Sequence, residues 1–152
     1  MLSPADELGI SVALAEARAG GELGEVPVGA AVIVGGEIVS RAHNETVAHN
    51  DLTQHAELIA IQRALSTLDT DRLEEATLVV TLEPCAQCAG AIVLARVGRV
   101  IFGAYDPKAG MVGSVEDLLR HPKLNHRPEV RGGVRADECG ELLSKFFANR
   151  RE

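Results

Sequence analysis

Tryptophan is absent from this 152-residue chain, and aromatic residues make up only 3% of it. That scarcity argues against an aromatic platform for stacking bases. No apolar run approaches the roughly 18 residues of a membrane span, so no membrane association is expected. The chain does not open on a basic region followed by an apolar stretch, so no signal peptide is expected. Three cysteines, Cys85, Cys88 and Cys139, are too few and odd in number for a disulfide framework. The expected setting is the cytoplasm. Positive charge is also short: the formal net charge is −7, which by itself argues against a nucleic-acid partner. Apolar residues reach 46%, which is ordinary for a folded protein. The length suits one domain spanning residues 1–152.

The charge is unevenly spread. Residues 1–95 hold 4 basic and 14 acidic side chains, whereas residues 96–135 hold 8 basic and 4 acidic ones. Arg96, Arg99, Lys108, Arg120, Lys123, Arg127, Arg131 and Arg135 form either a phosphate-facing patch or an ordinary solvated surface. Charge alone leaves both readings open.

The chemistry-bearing residues are His55-Ala56-Glu57 and Pro84-Cys85-Ala86-Gln87-Cys88. One imidazole and two thiolates are good zinc ligands and balance the charge of the ion. Structural zinc sites close with four protein ligands, while catalytic ones stop at three. A metal held there lowers the pKa of water toward about 7. Glu57 is placed to take a proton from that water and pass it on. H-x-E…P-C-x-x-C is already known as the signature of zinc-dependent nucleobase deaminases. A lone C-x-x-C also occurs in redox pairs and half zinc fingers. A closed structural site would need a fourth ligand, for which Cys139, His43 and His49 are the candidates.

Local signals place these residues. Thr53 is expected to cap a helix over 53–67 that carries His55 and Glu57. Pro84 suits the first position of a helix over 84–96, with both sulfurs on one face near its positive end. The N-terminal helix is expected over 5–19, with Leu8, Val12, Ala15 and Ala19 as its apolar stripe, ended by Gly20-Gly21. Strands are expected over 29–34, 37–42, 76–82, 99–104 and 129–134, with Gly35-Gly36 as a hairpin turn. Ser114 should cap a short helix to Arg120, and 136–150 should form a closing helix that carries a buried Cys139. The alternation implies helices layered on a mixed sheet, with the two metal-bearing helix N-termini meeting at one edge of it.

With these residues assembled, the chain resembles the bacterial tRNA-specific adenosine deaminases of the cytidine-deaminase superfamily. The resemblance runs through Val26-Pro27-Val28-Gly29-Ala30, His43-Asn44, His55-Ala56-Glu57, Thr81-Leu82-Glu83-Pro84-Cys85, Cys88-Ala89-Gly90-Ala91 and Arg96-Val97-Gly98-Arg99-Val100. It continues through Phe102-Gly103-Ala104, Asp106, Lys108, Gly110, Asn125-His126 and Ala136-Asp137-Glu138-Cys139. It implies a three-layer α/β/α fold with a five-stranded mixed sheet, a homodimer and one Zn2+ per subunit. It implies hydrolytic conversion of the wobble adenosine in the anticodon stem-loop of an arginine tRNA to inosine.

By the same resemblance the ligands are His55, Cys85 and Cys88, and the proton shuttle is Glu57. Asn44 would hydrogen-bond the flipped base, Val28 and Ala56 would border the base pocket, and Asp106 and Lys108 would contact the stem-loop. Taken without the resemblance, Asn44 reads as a turn former ending a hairpin and Asp106 as a turn residue before Pro107. Gln54 and Gln87 stand where the family often has Ala and Met. Arg150 and Arg151 either touch RNA or complement a helix C-terminus. Two rivals stay open: the same chemistry on guanine, cytosine or a free nucleoside, and a zinc-stabilised scaffold without catalysis.

Overall fold

The structure, a computed structural model, describes residues 2–150. Helix α1 (Pro4–Glu22) starts at Ser3, whose hydroxyl accepts from the Asp6 amide at 3.1 Å while the Asp6 carboxylate accepts from the Ser3 amide at 2.9 Å. This reciprocal cap satisfies two otherwise orphaned donors. Asp6 also receives Arg99 at 2.8 Å through both carboxylate oxygens, which ties the start of α1 to strand β4.

The buried stripe of α1 is Gly9, Ile10, Ala13, Leu14, Ala17 and Gly20. The expected stripe is wrong: Leu8 is 52% exposed, and Ala15 and Ala19 face solvent. Ile10 and Leu14 supply the bulk, and Gly9, Ala13, Ala17 and Gly20 lie beside them where the helix comes close to the sheet. At Gly29 a side chain would collide with the Ala13 carbonyl, so helix and strand pack backbone to backbone. Gly20 and Gly21 do not end the helix either. Gly20 lets it pass beside the His43 ring.

Strands β1 (Gly29–Val34) and β2 (Glu37–His43) form an antiparallel hairpin. Gly35 and Gly36 turn it with φ of 59° and 81°, the left-handed pair that a two-residue turn between twisted strands requires. Helix α2 (Ala56–Leu68) leads to β3 (Ala76–Leu82), and helix α3 (Ala86–Leu94) to β4 (Arg99–Ala104). A short β5 (Glu129–Arg131) precedes α4 (Ala136–Asn149). The sheet order is β2-β1-β3-β4-β5, antiparallel up to β3 and parallel beyond it.

Two cores sandwich this sheet. Ala60, Ala64, Ala89 and Ile92 of α2 and α3 meet Ala30, Val32, Leu78, Val80 and Phe102 on one face. Ile10, Leu14 and Cys139 of α1 and α4 meet Ile33, Val79 and Ile101 on the other. This is the expected α/β/α arrangement on a mixed five-stranded sheet.

Two further expectations fail. No helix forms over 114–120. The Ser114 amide and hydroxyl are both spent on the Glu83 carboxylate, and Val112 bridges to Asp117. The last strand stops at Arg131, three residues short, because Gly132 turns the chain against the Phe102 ring.

Candidate active site

β3 delivers the chain through Glu83 and Pro84 to Cys85, the N-cap of α3, with φ −78° and ψ −179°. Pro84 therefore sits before the cap rather than at the first helical position. The extended conformation that a proline imposes on its predecessor suits Glu83 leaving the strand. Cys88 follows one turn into the helix and is fully buried. The N-cap of α2 is His55 itself, with φ −84° and ψ 150°. Thr53 does not cap it, since its amide and hydroxyl bond Asp51 at 2.9 and 2.7 Å. Asn44 does that work from a distance. Its Oδ1 accepts the Ala56 amide at 2.8 Å, a long-range cap invisible to local sequence rules.

The two helix starts meet beyond the carboxyl end of β3, over the middle of the sheet. His55 Nδ1 lies 3.5 Å from Cys85 Sγ and 3.6 Å from Cys88 Sγ. The three donor atoms all lie within 4.8 Å of one another, and among the described residues no fourth metal-capable side chain joins them. His43 pairs with Glu16 at 3.0 Å and His49 with Glu45 at 2.9 Å, and Cys139 is on the far face of the sheet. A closed four-ligand site is thereby removed. The donor set fits a divalent metal that keeps a position open.

The electrostatics follow from burial and helix ends. A hydrogen bond from Cys88, then one from His55, holds the Cys85 thiol down at about 3. Cys88 is pushed up by its hydrogen bond to Cys85 and by burial. The hydrogen bond to Cys85 raises His55. Glu57 is 4% exposed, and burial lifts its carboxyl to about 7. That is where a group that must both take and give a proton works best near neutrality.

A cavity of about 290 Å³ opens over this cluster. Val28, Asn44, His55, Glu57, Cys85 and Asp106 line it. Ala56 is fully buried and reaches the site through its amide on Asn44. Asp106 is also a turn residue, its Oδ1 accepting the Lys108 and Ala109 amides at 3.1 and 3.3 Å. Lys108 lies in an adjoining groove with Tyr105, Leu143 and Phe147. Gln87 donates to the Thr53 carbonyl at 2.8 Å and Gln54 to Asp51 at 3.2 Å, bracing the approach to His55. Of the basic 96–135 set, Arg99, Arg120 and Arg135 are held by carboxylates. Arg150 stacks on Phe146 and donates to the Gly24 carbonyl; Arg151 lies outside the described residues.

Two residues were missed by reading the sequence. Glu83, 2% exposed, accepts the amides of Asp106, Val112 and Ser114 at 2.9, 2.9 and 3.0 Å. Glu25, also 2% exposed, holds residues 46–48 on the opposite wall. The available signal was an acid inside an apolar stretch, beside or near a proline, with no basic residue close in sequence.

The family model of MafB19-like deaminases matches residues 7–151. The tRNA-specific adenosine deaminase of Bacillus subtilis (strain 168) is 49% identical over 147 residues, covering 97% of this chain and 91% of that protein. This chain belongs to the tRNA-specific adenosine deaminase family. The member from Aquifex aeolicus (strain VF5) is 48% identical, covering 93% of each chain. A solved structure from studies of A-to-I editing by tRNA:A34 deaminases at the wobble position of transfer RNA superposes with a TM-score of 0.87. It is 42% identical, over 90% of this chain and 99% of that one. The three-layer fold is thus that of a deaminase of this family.

Proposed function

We propose that this protein hydrolyses adenosine to inosine at the wobble position of a tRNA anticodon, that of an arginine tRNA, and releases ammonia. The observation that carries the reading is the convergence of His55, Cys85 and the buried Cys88 beside a buried, near-neutral Glu57, under a cavity lined by His55, Glu57 and Cys85. Membership in the tRNA-specific adenosine deaminase family selects the substrate.

His55, Cys85 and Cys88 would hold one Zn2+, and three donors with no fourth among the described residues fit a catalytic rather than a structural ion. When bound, zinc supplies the Lewis acidity that brings the pKa of water toward neutrality. Glu57 takes one proton from the attacking water and passes it to the ring nitrogen, then takes the second from the added hydroxyl and passes it to the departing amine. A C–O bond forms at C6 of adenine and the C–N bond to the amine breaks. Asn44 is fixed by its Oδ1 bond to Ala56, which leaves its amide NH2 to hydrogen-bond the base. Val28 contributes an apolar wall, and Ala56 shapes the site through its backbone. Asp106 and Lys108 sit at the cavity and its adjoining groove, where flanking nucleotides would run.

The same reading makes residues 1–152 one deaminase domain, working in the reducing cytoplasm where both thiols stay available. It also makes the protein a homodimer. Leu94, 84% exposed on α3 beside an unfaced Gly90, supports an interface there, and light scattering at micromolar concentration tests it. The function is tested by incubating the zinc-loaded protein with transcribed arginine tRNA and sequencing the anticodon. Inosine at the wobble position is expected. Turnover of free guanine, cytosine or nucleosides with untouched tRNA would replace this reading with the small-molecule one.

A further inference from the structure

Glu25 lies in the link between α1 and β1, outside every motif that carries the chemistry. Its carboxylate is 2% exposed and enters no ion pair among the described residues. All its side-chain partners come from one short segment. Thr46 Oγ1 donates to Oε1 at 3.1 Å, the Val47 amide at 3.0 Å, and the Ala48 amide to Oε2 at 2.9 Å. A buried charge compensated only by a loop's own dipoles couples the two: the loop cannot leave without stranding the charge.

That loop runs from Glu45 to Gln54 and is closed at its neck by the Glu45 amide on the Gln54 carbonyl at 2.9 Å. Asn44 immediately precedes it and His55 immediately follows it. Thr46 and Leu52 line the cavity. Apolar burial does little to hold the tip, since Val47 is 64% and Leu52 84% exposed. Arg63 and Gln87 bind the loop at Glu45 and Thr53, so the 46–48 tip is left to Glu25.

We propose that Glu25 is a positioning residue that fixes the 45–54 loop as one wall of the cavity and thereby sets substrate affinity. It touches neither the metal ligands nor the reacting atoms. Its effect therefore falls on binding rather than on proton transfer.

The inference rests on the deaminase reading above. The test uses Glu25→Gln in the zinc-loaded full chain with a synthetic anticodon stem-loop. The amide sets an NH2 group against backbone donors that the carboxylate accepted. Losing such charge-assisted bonds is worth about a tenfold change or more. KM should rise by about that factor, kcat should stay within about threefold, and zinc content should match wild type. Amide hydrogen exchange should quicken at Val47 and Ala48 and stay unchanged in α2. An unchanged KM with unchanged exchange, or a kcat that falls with lost zinc, overturns the proposal. If Glu25→Gln does not fold, Thr46→Val decides. It removes one donor and keeps the shape, so a smaller rise in KM supports the proposal and none overturns it. A wild-type protein that leaves the stem-loop unedited sinks the deaminase reading instead, and loop exchange still reports on Glu25.

Discussion

At one end of the sheet, Val34, Leu68, Arg72 and Glu74 frame a cavity of about 370 Å³; at the other, the site cavity holds about 290 Å³. The larger one is lined by side chains already at ease. Glu74 and Glu75 are exposed, and Arg72 pairs with its neighbour Asp71 in solvent. The cavity's ionisable side chains are exposed, and Arg72 is held up only by its solvent-facing pair with Asp71. The smaller cavity gathers an imidazole, a thiol and a buried carboxyl, with a second thiol buried behind them, each displaced from its ordinary proton affinity. Volume is a poor guide to chemistry; convergent groups held away from water are a better one.

That contrast can be broken from either end. Cys88→Ala should have the largest effect, because the site cavity loses a ligand, its metal and the folding energy the metal supplies together. Zinc by mass spectrometry and a thermal melt should both fall; full zinc content would show the ligands misassigned. Glu57→Gln should keep zinc and fold yet lose about 10²- to 10⁴-fold in turnover, read by inosine formation. Wild-type turnover would remove Glu57 from its role. Asn44→Ala should cost roughly 10- to 100-fold in deamination by losing a buried hydrogen bond. It should also lower the melting temperature by a few degrees, because α2 loses its cap. Zinc content should hold. Arg72→Ala at the other end should leave the melting temperature and the activity unchanged. A loss of activity there would mean the two ends are coupled and the contrast is false.

The grouping of His55, Cys85 and Cys88 and the strands that carry the chain to it were legible because they depend on residue type and short spacing. His55, Cys85 and Cys88 carry their chemistry wherever the chain puts them, and β3 was readable to the residue. What local rules missed was decided across the fold. Thr53 looks like a cap, but Asn44 does the capping twelve residues away. Ser114 looks like a helix start, but Glu83 takes both its donors. Leu8 and Val12 look like the packing stripe of α1, but the helix turns Ile10 and Leu14, with small residues beside them, to the sheet. Each error is a tertiary partner outbidding a sequence neighbour. Glu25 and Glu83 escaped notice for the same reason, as nothing adjacent in sequence hints at the loops they hold.

The step from Val28 to Gly29 joins two of these environments. Val28 borders the cavity, while the space a side chain would need at Gly29 belongs to the α1 backbone. Tolerance to change therefore drops sharply across one peptide bond. An engineer reshaping the pocket for another base has room at Val28. Any side chain at Gly29 must first lift α1 off the sheet and disturb the packing of Ile10 and Leu14 behind it.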